Sequence, residues 1–140
     1  EQIVAHLKRC IDSTRTMFVP KTLEYLYKGG RIGRAAALVG GILQIRPVLY
    51  LADGKVDVLD KVRTHQRAVA RMLEELYSWP DLEYIGVVHI AAPELAEQVV
   101  EQIRPRYPKA VITVTTGGSV LAAHLGPGLV GIIYQDKLLQ

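Results

Sequence analysis

The chain has 140 residues, enough for one compact domain with its own core, and its 49% hydrophobic and 22% charged content is ordinary for a globular protein. The net charge of +3 is small and the basic residues are scattered, which argues against a nucleic-acid partner. No apolar run reaches bilayer length, so no membrane span is expected, and the single cysteine, Cys10, excludes an internal disulfide and fits a reducing, cytoplasmic setting.

The opening residues, Glu1-Gln2-Ile3-Val4, resemble neither a signal peptide nor a start methionine. They read as a helix already under way, so the sequence is expected to be a piece of a longer protein. Ile3, Val4, Leu7, Cys10 and Ile11 fall at helical spacing and predict an amphipathic helix over residues 1 to about 12. A strand over 16–19 follows, stopped by Pro20. Thr22 can cap a short helix over 23–28, which Gly29-Gly30 ends. A second short helix is expected over 34–39, ended by Gly40-Gly41.

Residues 43–51 and 56–62 read as two strands joined by the Asp53-Gly54 turn, a good hairpin signal. A strong helix is predicted over 65–77, with Thr64 as cap and Val69, Met72, Leu73 and Leu76 on one face. Residues 83–90 are rich in valine and isoleucine and read as a central strand. Pro93 opens the next helix, Arg104-Pro105 ends it, and 110–115 is a further strand. A short helix over 120–124 and a last apolar strand over 129–134 complete the chain. The order predicts an α+β domain with one mixed, mainly antiparallel sheet covered by helices.

The segment from Leu23 to Pro47 carries the most chemistry. Gly29-Gly30 turns the backbone just before Arg31, whose guanidinium presents a planar fork of donors suited to an anionic head group. The plain alternative is a structural arginine bonding the carbonyls of a helix end, and residues alone do not choose between them. The small residues that follow, from Ala35 and Ala36 through Leu38 and Val39 to Ile42, suit a wall for an apolar tail and equally suit tight helix packing. His124 stands before the rigid Gly126-Pro127-Gly128 turn, where an imidazole of fixed direction can bond a carboxylate in either protonation state.

Other candidates weigh less. Lys61 and Arg63 share a face at the end of a strand, which reads first as a solvated edge and second as a surface for an acidic partner or ligand. Thr113, Thr115, Thr116 and Ser119 surround a loop-helix junction where a Ser119 cap is the simpler reading than an anion site. His89 reads as core, and His6 and His65 have no context. The histidines and Cys10 lack metal-ligand spacing, and no nucleophile-base pair or carboxylate pair is legible. No catalytic function and no cofactor are expected.

Taken together, Leu26, Gly29-Gly30-Arg31-Ile32, Ile45-Arg46-Pro47-Val48, Asp53-Gly54, Lys61-Val62-Arg63-Thr64 and His124 before Gly126-Pro127-Gly128 resemble the C-terminal domain of DegV-family proteins, which are bacterial fatty-acid-binding proteins. The resemblance runs from about Phe18 to Tyr134. It implies that residues 1–140 form one DegV-like C-terminal domain and that the N-terminal α/β domain, which supplies hydroxyls to the carboxylate, is absent. It further implies a long-chain fatty acid as ligand, covered along its acyl chain, with His124 at the carboxylate and Arg31 near the head group. Arg63 would support the head-group side or face a partner, an ATP-dependent fatty acid kinase subunit in some members. The chain departs from the family pattern at Arg46 for a common lysine, Gly33 for a common serine and Leu125 for a common threonine. Two other readings of the residues stand beside a carrier. One is an enzyme domain for a small acidic or phosphorylated substrate, with Arg31 as electrophile and His124 as acid-base group. The other is a regulatory or assembly domain.

Overall fold

The computed structural model describes residues 1–41 and 45–136. The elements run α1 (Gln2–Ser13), β1 (Thr14–Val19), α2 (Glu24–Lys28), a 3₁₀ turn (Gly33–Leu38), β2 (Arg46–Ala52), β3 (Lys55–Val62), α3 (His65–Tyr77), β4 (Leu82–His89), α4 (Pro93–Ile103), β5 (Val111–Thr116), α5 (Ser119–Leu125) and β6 (Val130–Asp136). The six strands make one sheet in the order β3-β2-β1-β6-β4-β5. Every neighbouring pair is antiparallel except β4 and β5, which run parallel. The expected α+β class, mixed and mainly antiparallel, is the fold observed.

Local chemistry accounts for the elements. Asp53 and Gly54 adopt φ values of 50° and 72°, the two left-handed positions of a tight hairpin turn between β2 and β3. The Thr64 hydroxyl accepts a bond from the Arg67 amide at 3.1 Å and caps α3. Pro93 occupies the first turn of α4, where its missing amide costs nothing. Just ahead of it, the buried His89 ring accepts a bond from the Ala92 amide through Nδ1 at 3.2 Å.

Strand alternation divides the core in two. Met17, Val19, Ile85, Val87, Val130, Ile132 and Tyr134 point to one face of the sheet and pack against α3 and α4. Phe18, Leu49 and Val56 face the other way and are covered by Leu26 of α2, Ile32 and Ala35 at the 3₁₀ turn, and Leu129. This second layer is incomplete. It covers one half of the sheet face and leaves Tyr84 and Ile133 exposed on the other. The apolar stripe of α1 is exposed as well, with Ile3 and Ile11 at 76% and 72%.

Several sequence expectations change. An α-helix is expected over residues 34–39, but Gly33–Leu38 is a 3₁₀ turn, closed by i→i+3 bonds such as Val39 N–H to the Ala36 carbonyl at 3.1 Å. The strand of residues 83–90 is interior rather than central: β4 lies second from the edge, and β1 and β6 hold the middle. Ser119 begins α5 instead of capping it, and the N-cap is Gly118. The expected start of a strand at Leu43 lies outside the described residues.

Candidate functional site

The break after α2 is built by paired hydrogen bonds. Gly30, at φ 67°, donates its amide to the Tyr27 carbonyl at 3.2 Å, and Arg31 donates its own to Leu26 at 3.0 Å. This 5→2 and 6→1 closure needs a left-handed residue at Gly30, and it fixes where Arg31 leaves the helix. The carbonyls of the helix end are thus met by backbone amides. The Arg31 guanidinium forms no hydrogen bond or ion pair among the described residues. The structural alternative for Arg31 therefore falls away.

Its cationic neighbours are committed elsewhere. Lys28 pairs with Glu24 at 2.5 Å, and Arg34 with Asp57 at 2.8 Å. The Asp57 carboxyl is held below its usual pKa first by the Val58 amide and further by Arg34 and the Tyr50 hydroxyl, while partial burial opposes the shift. Arg31 is left uncommitted at an exposed position.

α5 carries the second group. Gly126 ends this helix at φ 80° and ψ 166°, a region essentially closed to other residues, and the Tyr25 ring lies where a side chain at that position would be. Through this contact α5 is locked against α2. His124, in the last turn of α5, is half-buried with its ring against Gly29, and Nδ1 is buried without a hydrogen-bond partner among the described residues.

Arg31 and His124 line one cavity of about 650 Å³. Its walls are predominantly apolar. Thr16 and Phe18 of β1, Val88 of β4, and Gly131 and Ile133 of β6 form the sheet floor, while Leu26, Leu121, Leu125 and Leu129 close the sides. At the rim stand the exposed Gly30, Arg31, Gly33, Gly54 and Lys55, beside the buried Val56. The cavity is thus greasy within, with an imidazole and two cations on its lining, the cations unpaired among the described residues. An amphiphile with an acidic head fits this arrangement, because the apolar floor rewards a tail and the cations offset the desolvation of a carboxylate.

The other sequence candidates lie elsewhere. Ala35 is fully buried in the core beneath the 3₁₀ turn, and Ala36 is exposed. Leu38 and Val39 line a separate surface depression beside Lys21 and Arg46. Ile42 lies outside the described residues. The cavity walls therefore come from the sheet, α2, α5 and Leu129, and the 3₁₀ turn contributes only Gly33, which stands so close to the Val56 backbone that a Cβ would not fit. Arg63 is exposed just past the end of β3 and does not line the cavity. Lys55 lines the cavity as well and was not singled out in the sequence. Leu125, at the common threonine position, lines the cavity with an apolar side chain.

A family model described as "Uncharacterised protein, DegV family" matches residues 1–137. The chain belongs to the DegV family. A DegV domain-containing protein of Streptomyces coelicolor is 39% identical over 142 residues, an alignment that covers 98% of this chain and 50% of the relative. Among solved structures, the fatty acid binding DegV family protein of Streptococcus agalactiae superposes with a TM-score of 0.84 at 31% identity, covering 97% of this chain and 49% of that one. DegV of Bacillus subtilis, described as a fatty acid binding protein, gives 0.83 at 28% identity, with 97% and 49% covered. The chain spans about half the length of these DegV relatives. No helix among its described residues is long and apolar enough to cross a membrane.

Proposed function

We propose that this chain is the acyl-covering domain of a fatty-acid-binding protein, acting as a carrier without chemistry of its own. One observation carries the reading: Arg31 and His124, 93 positions apart in the sequence, meet on a single apolar cavity whose cations have no partner among the described residues. In this reading the carboxylate lies at the Arg31, Lys55 and His124 side, and the tail extends over Phe18, Val88, Leu129 and Ile133. A chain of ~16 carbons buried at about 0.8 kcal/mol per methylene gains roughly 12 kcal/mol gross. Immobilisation offsets several kcal/mol or more of that gain, so the tail supplies affinity and the polar groups set direction. The domain extends over residues 1–140 and stands as the C-terminal half of a two-domain protein, which the twofold length of its relatives supports.

A carrier of this kind serves by presenting its carboxylate, and the family resemblance supports an ATP-dependent fatty acid kinase subunit as recipient. Arg63, exposed and outside the cavity, suits the partner-facing side. Mass spectrometry of ligand extracted from the intact protein tests the proposal. Long-chain fatty acid is expected at close to one equivalent. An intact protein that carries none and takes up none from added oleate would refute it.

A further inference from the structure

Two adjacent glycines precede Arg31, and they are glycines for different reasons. Gly30 needs the left-handed region at φ 67°. Gly29 does not: at φ −78° and ψ −5° it sits in ordinary helical conformation, open to any residue. What excludes a side chain at Gly29 is another side chain. A Cβ there would lie 2.5 Å from His124 Nδ1 and 3.3 Å from His124 Cε1, with the Tyr25 carbonyl oxygen at 3.0 Å.

We infer that Gly29 is a positioning residue for His124: it seats the imidazole on its Nδ1 edge and leaves Nε2 to carry the ring proton toward the cavity. The burial of Nδ1 decides the tautomer. That atom has no partner among the described residues. Orphaned buried N–H groups are rarer in folded proteins than under-satisfied acceptors, so the neutral ring keeps Nδ1 bare. Nε2–H then serves as a donor of fixed direction, as a carboxylate acceptor requires. Gly29 thereby acts on the ligand without touching it. The inference rests on the fatty-acid reading for its effect on affinity, but not for the tautomer.

The substitution Gly29→Ala isolates this role, because its backbone angles suit alanine and the imidazole is the most mobile group in its way. The ring is expected to swing aside and the fold to persist. In the intact protein, nitrogen-15 NMR of labelled histidine, with His124→Gln to assign the signal, is expected to show the Nε2–H tautomer in the wild type and displaced ring resonances in Gly29→Ala. Oleate affinity is expected to fall about tenfold, the loss of one hydrogen bond to a charged group. The double variant Gly29→Ala/His124→Ala should bind no more weakly than His124→Ala alone, which a general structural defect would not reproduce. An Nδ1–H tautomer in the wild type overturns the inference, and so does wild-type oleate affinity in Gly29→Ala when His124→Ala is weakened. If Gly29→Ala does not fold, the wild-type spectrum decides. Absence of oleate binding in the wild type refutes the carrier reading instead, and the tautomer is still read from the same spectrum.

Discussion

Replacing Arg31 by alanine removes the cation proposed to meet the head group and little else. Its amide still closes α2 onto Leu26 at 3.0 Å, and its guanidinium has no partner among the described residues. Stability should therefore stay within about 0.5 kcal/mol, as for surface changes that break no contact. Affinity should not. A hydrogen bond to a charged group contributes about 1.5–3 kcal/mol, and the exposure of Arg31 places it at the lower end. About 1.5–2 kcal/mol corresponds to roughly 10–30-fold weaker oleate binding. Displacement of a fluorescent fatty acid reads this directly, and oleyl alcohol is the control. The alcohol keeps the tail and lacks the charge, so its affinity should be the same in both proteins. Arg31→Lys should lie between, keeping the charge but losing the planar fork. Added salt should weaken the wild type more than Arg31→Ala. Equal oleate affinity in wild type and Arg31→Ala, with unchanged melting, would refute the placement of the carboxylate at this rim.

Two further predictions concern the scaffold. The buried Tyr107 hydroxyl lies 2.7 Å from the Leu76 carbonyl oxygen and 2.6 Å from that of Trp79, so its one proton is shared across the end of α3. Tyr107→Phe leaves both carbonyls without it and should cost about 1–2 kcal/mol, seen as a lower thermal midpoint with an unchanged denaturant slope. His65, at the first position of α3, has its pKa lowered from 6.5 by burial and then by the charges of Arg46 and Lys21. The folded state therefore holds its proton less tightly than the unfolded state. Stability should fall as pH drops below 6.5 toward the lower folded value, and His65→Gln should flatten that part of a denaturation series.

The sequence revealed the turns and the helix faces more readily than the cavity. Asp53-Gly54 announced its hairpin because the two-residue turn demands left-handed conformations that few residue pairs supply. The glycines around Arg31 and His124 marked both groups for the same reason. The cavity floor was hidden because its residues come from every second position of strands far apart in the chain: Phe18 of β1 pairs with Gly131 of β6, and Val88 of β4 pairs with the same Gly131. No window along the chain brings them together. The alanines of the 3₁₀ turn attracted attention as a tail wall because small residues look alike whether they clear space for a ligand or fit against a neighbour, and Ala35 is of the second kind. Lys55 escaped notice because a residue beside a tight turn has no pattern that tells which way it reaches.

The strand β6 lies between β1 and β4, so it alone joins the β3-β2-β1 half of the sheet to the β4-β5 pair. Its partner β1 lies more than a hundred residues upstream: Thr14 pairs with Gln135 and Val19 with Val130. Contacts of such separation are slow to form, because a long loop must close before they stabilise anything. Without β6 in place, each half has an unsatisfied edge toward the gap. The cavity straddles that seam, with Phe18 on one bank, Val88 on the other and Ile133 between. It is complete only once β6 is in place, and a chain cut short before residue 130 would have two shores and nothing to hold between them.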